Sequence, residues 1–150
     1  MLKTALFFLA AVVDASILTS IVSTQLILAD VAGFGLTVTI GDRIGATIHD
    51  LIGLAVPLLL LVGLSFLFAF IVAKYAHQYI GGNRTAWYMA AGFTSLPAAI
   101  TLIKLAMGGT LLASARTPFG MSLIACCGMA GGWMFAWLTS TFNSTGSAHA

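Results

Sequence analysis

The chain is expected to fold as an all-α integral membrane protein. The expected architecture is a bundle of four transmembrane helices, with a short amphipathic extracytoplasmic helix leading into the second span. Three observations predict this. Of 150 residues, 60% are hydrophobic and only 7% charged, and the mean hydropathy is +1.07. The apolar residues fall in four long runs, each near or above the roughly 20 residues that cross a hydrocarbon core of about 30 Å. Between the first two runs lies TIGDRIGATIHDLIGLAVP, Thr39 to Pro57, which sets Asp42, Arg43, His49 and Asp50 within nine residues. Lipid offers the backbone no hydrogen-bond partners, so the spanning runs must be helical.

The first span is placed at Thr4–Ala29. Lys3 followed by TALFFLAAVV resembles the start of a signal peptide, and Val13-Asp14-Ala15 loosely resembles a cleavage site. The apolar pattern continues through SILTSIVSTQLILA, however, and Asp14 is an odd neighbour for a cleavage site, so this helix is expected to be retained. Asp14 falls about ten residues, or roughly 15 Å, into the helix, where a bare carboxylate costs from about 3 kcal/mol upwards. It must be protonated, paired or turned to water. It is therefore a candidate intramembrane proton or ion relay, with Lys104, the one basic group inside a span, as its possible counter-charge. Ser16, Thr19, Ser20 and Ser23 form a hydroxyl face suited to close helix contact. Asp14 and Gln25 align nearly opposite, so this helix is expected to be enclosed on both sides, by its own bundle and by another subunit.

The stretch before the second span, Leu51–Ala73, reads as an amphipathic helix. At 100° per residue, Asp42, Arg43, Ala46, Thr47, His49 and Asp50 share one arc, and Ile40, Ile44, Ile48, Leu51 and Ala55 the complementary one. Asp42 follows Ile40-Gly41 and is the expected helix cap. Pro57 is expected to kink the second span or set its entry angle. The plain expectation is an interfacial helix with its apolar side in lipid and its polar side in water. The sharper one is a polar site, in which His49 and a nearby aspartate bind a proton or a polar substrate. With one histidine and no second nitrogen or sulfur ligand, a metal is not expected.

The third span, Trp87–Met107, repeats small residues at Ala91, Ser95 and Ala99 around Pro97. The fourth, Phe119–Leu138, carries Gly128, Gly132 and Ala136 at the same spacing, a seam for close helix packing. Residues 1–140 read as a single membrane domain and 141–150 as a short polar tail, with STFNSTGSAHA expected to be disordered. Tyr75, Tyr79, Trp87, Tyr88, Trp133 and Trp137 all fall towards one membrane face, whereas aromatic belts ordinarily mark both.

Orientation rests on a tied count of basic residues, Lys3, Lys74 and Arg84 against Arg43, Lys104 and Arg116. Lys104 can snorkel from within its span, and Arg43 lies among aspartates. Both termini are accordingly expected in the cytoplasm of a cell with a bacterial inner membrane. A net charge of +2 without a basic run excludes nucleic acid as an expected partner. Adjacent Cys126 and Cys127 in an apolar helix do not make a redox pair and read as small buried hydrophobes. His49 and His77 lie near opposite surfaces and His149 is in the tail, an arrangement unsuited to haem, and no cofactor is expected.

The favoured function is a non-enzymatic accessory or scaffold subunit that associates with itself or with a larger membrane complex. A proton- or ion-coupled transporter or channel component using Asp14 comes second. A membrane enzyme with an extracytoplasmic Asp42/His49/Asp50 site comes third, because acid–base chemistry needs converging groups and an orienting shell.

Overall fold

The computed structural model describes residues 2–35, 37, 39–107 and 113–146, and all regular structure among them is helical. The helices are α1 (Leu2–Gly33), α2 (Ile40–Gly53), α3 (Ala55–Ile80), α4 (Arg84–Met107) and α5 (Pro118–Gly146), with a single 3-10 turn at Ala113–Arg116. Four of them, α1, α3, α4 and α5, are long and apolar enough to cross a membrane. They form a closed ring in which α1 neighbours α3 and α5, and α4 neighbours the same two, so α1 and α4 stand diagonally opposed. One end of the bundle, the base, holds the start of α1 and the α3–α4 link. The other end, the crown, holds α2 and the 3-10 turn.

Close approach is tightest between α4 and α5. A methyl group added at Gly92 would strike the carbonyl of Gly128; at Gly128 it would strike that of Gly92, and at Gly132 that of Tyr88. Three glycines therefore let backbone touch backbone, as small residues do where lipid supplies no hydrophobic drive for helices to associate. The expected seam of Gly128, Gly132 and Ala136 is thus present and turned inward, with Ala136 buried. Its partner differs from the small-residue series Ala91, Ser95 and Ala99. The buried stripe of α4 is Tyr88, Gly92, Leu96 and Ile100, while Ala91, Ser95 and Ala99 line a groove towards α3.

On the adjoining side of α5, Gly131 meets Ala15 of α1 and the Phe66 ring of α3. Around this point the core is filled by Val62, Phe66, Leu96, Ile100 and Ile124, all essentially without exposure. Towards the base it becomes aromatic. The Phe70 ring stacks on Phe135 at 4.7 Å and meets Tyr88 edge-on at 5.3 Å. Phe8 closes the cluster at 6.1 Å from Phe70, in the offset and edge-to-face geometries that aromatic quadrupoles favour. Tyr88 is therefore a core residue and not part of a surface belt. Tyr75, Tyr79, Trp133 and Trp137 do lie exposed, and the Trp87 indole N–H is tied to Gly81 O at 2.9 Å.

Two helix boundaries depart from expectation. α5 runs on through Gly146, where a disordered tail was expected from Ser140. Hydroxyls of Thr139, Ser140 and Thr141 bond to carbonyls three or four residues earlier, at Phe135, Trp137 and Trp137 respectively. The polar residues thereby sit on the helix without competing for its ladder. His149 lies outside the described residues. At the other end of α5, Thr117 Oγ1 accepts from Gly120 N at 3.1 Å and Pro118 takes the first helical position, a cap in which the missing proline N–H costs nothing.

The second departure is the break between α2 and α3. The two are nearly one helix: Leu54 N–H bonds to Asp50 O and Leu58 N–H to Leu54 O, with Leu54 itself at φ −95°, ψ −1°. Pro57 has no N–H to offer the Gly53 carbonyl one turn earlier, and its ring crowds that carbonyl. The bend is therefore set one turn ahead of the proline, and Leu51 belongs to α2 rather than to the second span.

The glycine seam makes a direct prediction. Gly132→Ala should lower bundle stability by about 1–3 kcal/mol through overpacking, and Gly132→Leu should prevent native closure of α4 on α5. Leu60→Ala, on the exposed face of α3, should change stability by less than about 0.5 kcal/mol. Thermal unfolding of the purified variants in detergent measures all three.

Candidate functional site

The polar residues of the crown converge on the last turns of α1. Gln25 is the hub. Arg43 Nη1 donates to Gln25 Oε1 at 3.0 Å, Gln25 Nε2 donates to Thr47 Oγ1 at 3.1 Å, and Thr47 Oγ1 donates to Arg43 O at 2.7 Å. The three bonds close a circuit in which both ends of the Gln25 amide are used in opposite senses. One residue back, Thr24 Oγ1 lies 2.8 Å from Asp50 Oδ2 and 2.9 Å from Ser20 O. Ser23 then receives the hydroxyl of Ser114, buried in the 3-10 turn, at 2.9 Å. Three consecutive residues of α1 thus fasten α2 and the 3-10 turn to it, a polar clasp at the crown.

The clasp uses the polar arc read from the sequence and changes what that arc faces. Arg43, Thr47 and Asp50 point at α1, where water was expected. Asp42 does not join them. The N-cap is Thr39, with Asp42 at the third helical position: Asp42 N–H donates to Thr39 Oγ1 at 3.2 Å, while Thr39 N–H and Oγ1 donate to Asp42 Oδ2 at 2.9 and 2.7 Å. This reciprocal capping box satisfies two free amides of the first turn. The Thr39 hydroxyl and amide hold the Asp42 carboxyl below its ordinary pKa. His49 is exposed and bonds to no described residue. Among the described residues no group of three or more histidine, cysteine or acidic side chains is placed to hold a metal ion.

The intramembrane candidates are likewise kept apart. Asp14 is half-buried on α1 and makes no hydrogen bond or ion pair with a described residue. Lys104 stands exposed in the last turn of α4, on the helix diagonally across the bundle from α1. The hydroxyl face of α1 is buried as expected. Ser16 Oγ donates to Val12 O at 2.7 Å; Thr19 Oγ1 is buried with only the Cys127 thiol beside it, and Ser20 Oγ is buried with no hydrogen-bond partner among the described residues. Ser16 and Ser20 also line a cavity of about 230 Å³ beneath the clasp, otherwise walled by apolar residues including Leu51, Ala55 and Leu58.

Sequence reasoning missed Thr24 and Ser114, and it gave Gln25 no partner. Their signal was short-range: polar residues at the crown end of α1 facing a helix whose own polar arc needed a counterpart. Compared with models of known protein families, with curated proteins and with solved structures, the chain finds no match.

What the clasp leaves outward is the opposite arc of α2. Ile40, Ile44, Ile48 and Ile52, spaced four apart, are 78, 57, 53 and 75% exposed. No residue of α2 is buried. Chemically the arrangement fixes a helix by its polar side and displays its apolar side.

The capping box should respond to acid. Its carboxylate has a lowered folded pKa, so its contribution is present above the unfolded value near 3.9 and fades as pH falls through the folded value. Amide protection at residues 40–43 should therefore drop below about pH 4, and Asp42→Asn should remove that dependence. In the clasp, Asp50→Asn keeps an acceptor for Thr24 and should be tolerated. Asp50→Leu strands a polar group and should loosen α2, by about 1–3 kcal/mol. Hydrogen exchange followed by mass spectrometry reads both effects.

Proposed function

We propose that this chain is a small multi-pass membrane protein whose work is association: an accessory or scaffold subunit, without chemistry of its own, that joins copies of itself or a larger complex in a bacterial inner membrane. The observation that carries the reading is the isoleucine stripe of α2. At about 48 Å, α1 exceeds the hydrocarbon thickness of about 30 Å by several turns. The 3-10 turn meets α1 at Ser23, and the last turns of α1 run on beyond that contact with α2 fastened to them at Thr24 and Gln25. A stripe of β-branched side chains on such a projection is an apolar patch in need of a cover. Ridges spaced four residues apart are those that interdigitate when helices cross.

The charged groups support the same reading. Arg43 and Asp50 are spent on holding α2, and Asp42 on capping it. The cavity below them carries no charged side chain. The relay reading retains one observation in its favour, the half-buried Asp14 with no paired cation among the described residues, and the same experiment addresses it.

Replacing Ile44 and Ile48 together by Asp should abolish oligomers or co-purifying subunits while the bundle still folds, and Asp14→Asn should leave assembly intact. Size-exclusion with light scattering on protein extracted from native membranes measures this. Assembly unchanged in the isoleucine variant would sink the scaffold reading. Loss of proton-coupled flux in proteoliposomes on Asp14→Asn alone would replace it with the relay.

The proposed orientation has both termini in the cytoplasm and the crown outside, on the strength of Lys74 and Arg84 at the base. Gly35 and Gly82 hold φ of +84° and +91°, which strains any other residue, so labelling cysteines belong at their neighbours. With Cys126 and Cys127 replaced, Phe34→Cys should react with an impermeant thiol reagent in intact cells, and Asn83→Cys only after lysis. The reverse pattern overturns the orientation.

A further inference from the structure

All four carboxylates of the chain lie between Asp14 and Asp50, on α1 and α2. Among the described residues the base of the bundle has no Asp or Glu. There Lys74 is exposed and unpaired, and the Arg84 guanidinium sits 5.5 Å over the Tyr88 ring while donating to Thr139 Oγ1 at 2.9 Å. The nearest acid along α1, Asp14, is about 15 Å from Thr4 at the rim, too far to pair with either cation.

Beside these cations a groove of about 480 Å³ opens to the outside of the bundle, lined by Thr4, Phe8, Leu67, Phe70, Ile71 and Lys74 among others. Its floor is the interlocked aromatic cluster, in which Phe8 lies 6.4 Å from Phe135 and 6.1 Å from Phe70. Tyr88, the ring beneath Arg84, forms part of the same wall. One end of the groove is thus cationic and hydroxylic, and the rest is rigid and apolar. Two larger grooves between α3 and α4, each about 550 Å³ and sharing Phe68 and Leu102, have no charged side chain and so no means of choosing a headgroup.

We propose that the base groove binds an anionic phospholipid. One acyl chain lies against Phe8, Leu67, Phe70 and Ile71, and the phosphate meets the Lys74 ammonium in the field of Arg84. The proposal rests on the reading that the four long helices span a bilayer. A lysine and an arginine with no Asp or Glu beside them among the described residues complement an anionic headgroup, and each cation near a membrane surface contributes enough for a selectivity of several-fold. Full-length protein in vesicles of equal parts phosphatidylglycerol and phosphatidylcholine with identical chains should retain the anionic lipid preferentially when released gently for native mass spectrometry. Lys74→Gln should reduce that preference roughly fivefold, Lys74→Arg should keep it, and Lys104→Gln, outside the groove, should leave it unchanged. Glycerol phosphate, which has the headgroup chemistry without the chain, should not displace the lipid; displacement would show a free-phosphate site and overturn the groove. An unchanged preference in Lys74→Gln overturns the site while the membrane reading stands. Failure of the parent to resist alkaline extraction from the vesicles overturns both.

Discussion

Contact between the backbones of α4 and α5 sets the spacing on which the bundle depends. With Gly92, Gly128 and Gly132 at the crossing, the two helices approach until carbonyls meet α-carbons, and dispersion is gained along a strip where side chains would hold them apart. That approach places the next face of α5, at Gly131, where Ala15 and the Phe66 ring can close on it. Each of these neighbours is again chosen for size. A side chain at any of the glycines would displace α5 and, through Gly131, both remaining long helices. Such shape matching is what distinguishes one bundle of apolar helices from its alternatives.

Polar groups follow a second constraint, that those inside the bundle are favoured where they find a partner within the chain. Most hydroxyls do so on their own helix, as Ser16, Ser65, Thr94, Thr101 and Thr139 bond to carbonyls one turn back. Groups that reach between elements are confined to a few places, chiefly Thr24, Gln25 and Ser23 at the crown and Arg84 at the base. Thr19 and Ser20 make no such bond, and they lie where α1 faces α5 and the small cavity. The division leaves the middle of the bundle held by packing and its two ends by directed bonds.

Much of the helix plan was legible because length and hydropathy act over whole segments. The four long helices and the inward turn of Gly128 and Gly132 follow from patterns spanning several turns. The helical period placed Arg43, Thr47 and Asp50 on one arc, but it could not say that Gln25 would meet them, since a period describes one helix and not its neighbour. The cap was misplaced by three residues, because Thr39 and Asp42 are interchangeable as signals until the backbone shows which is extended. Gly92 escaped notice as an isolated glycine, without the repeat that marked its partners. Tyr88 resembled its surface neighbours in sequence and was drawn inward by Phe70 and Phe135. The extension of α5 was hidden by residues that favour turns in isolation and are quiet on a helix whose carbonyls they can reach.

The bend at Leu54 gives the molecule a joint with unequal arms. Fastened to α1 by its polar arc and to α3 by a continuous backbone, α2 has little freedom to swing away, yet the Gly53 carbonyl lacks the bond that would stiffen the junction. A displacement of α2 would therefore bend the chain first at Leu54, before it reached the glycine crossing on the far side of the ring. The proline thereby confines bending to one joint, and the registry of the long helices is insulated from a displacement of the crown.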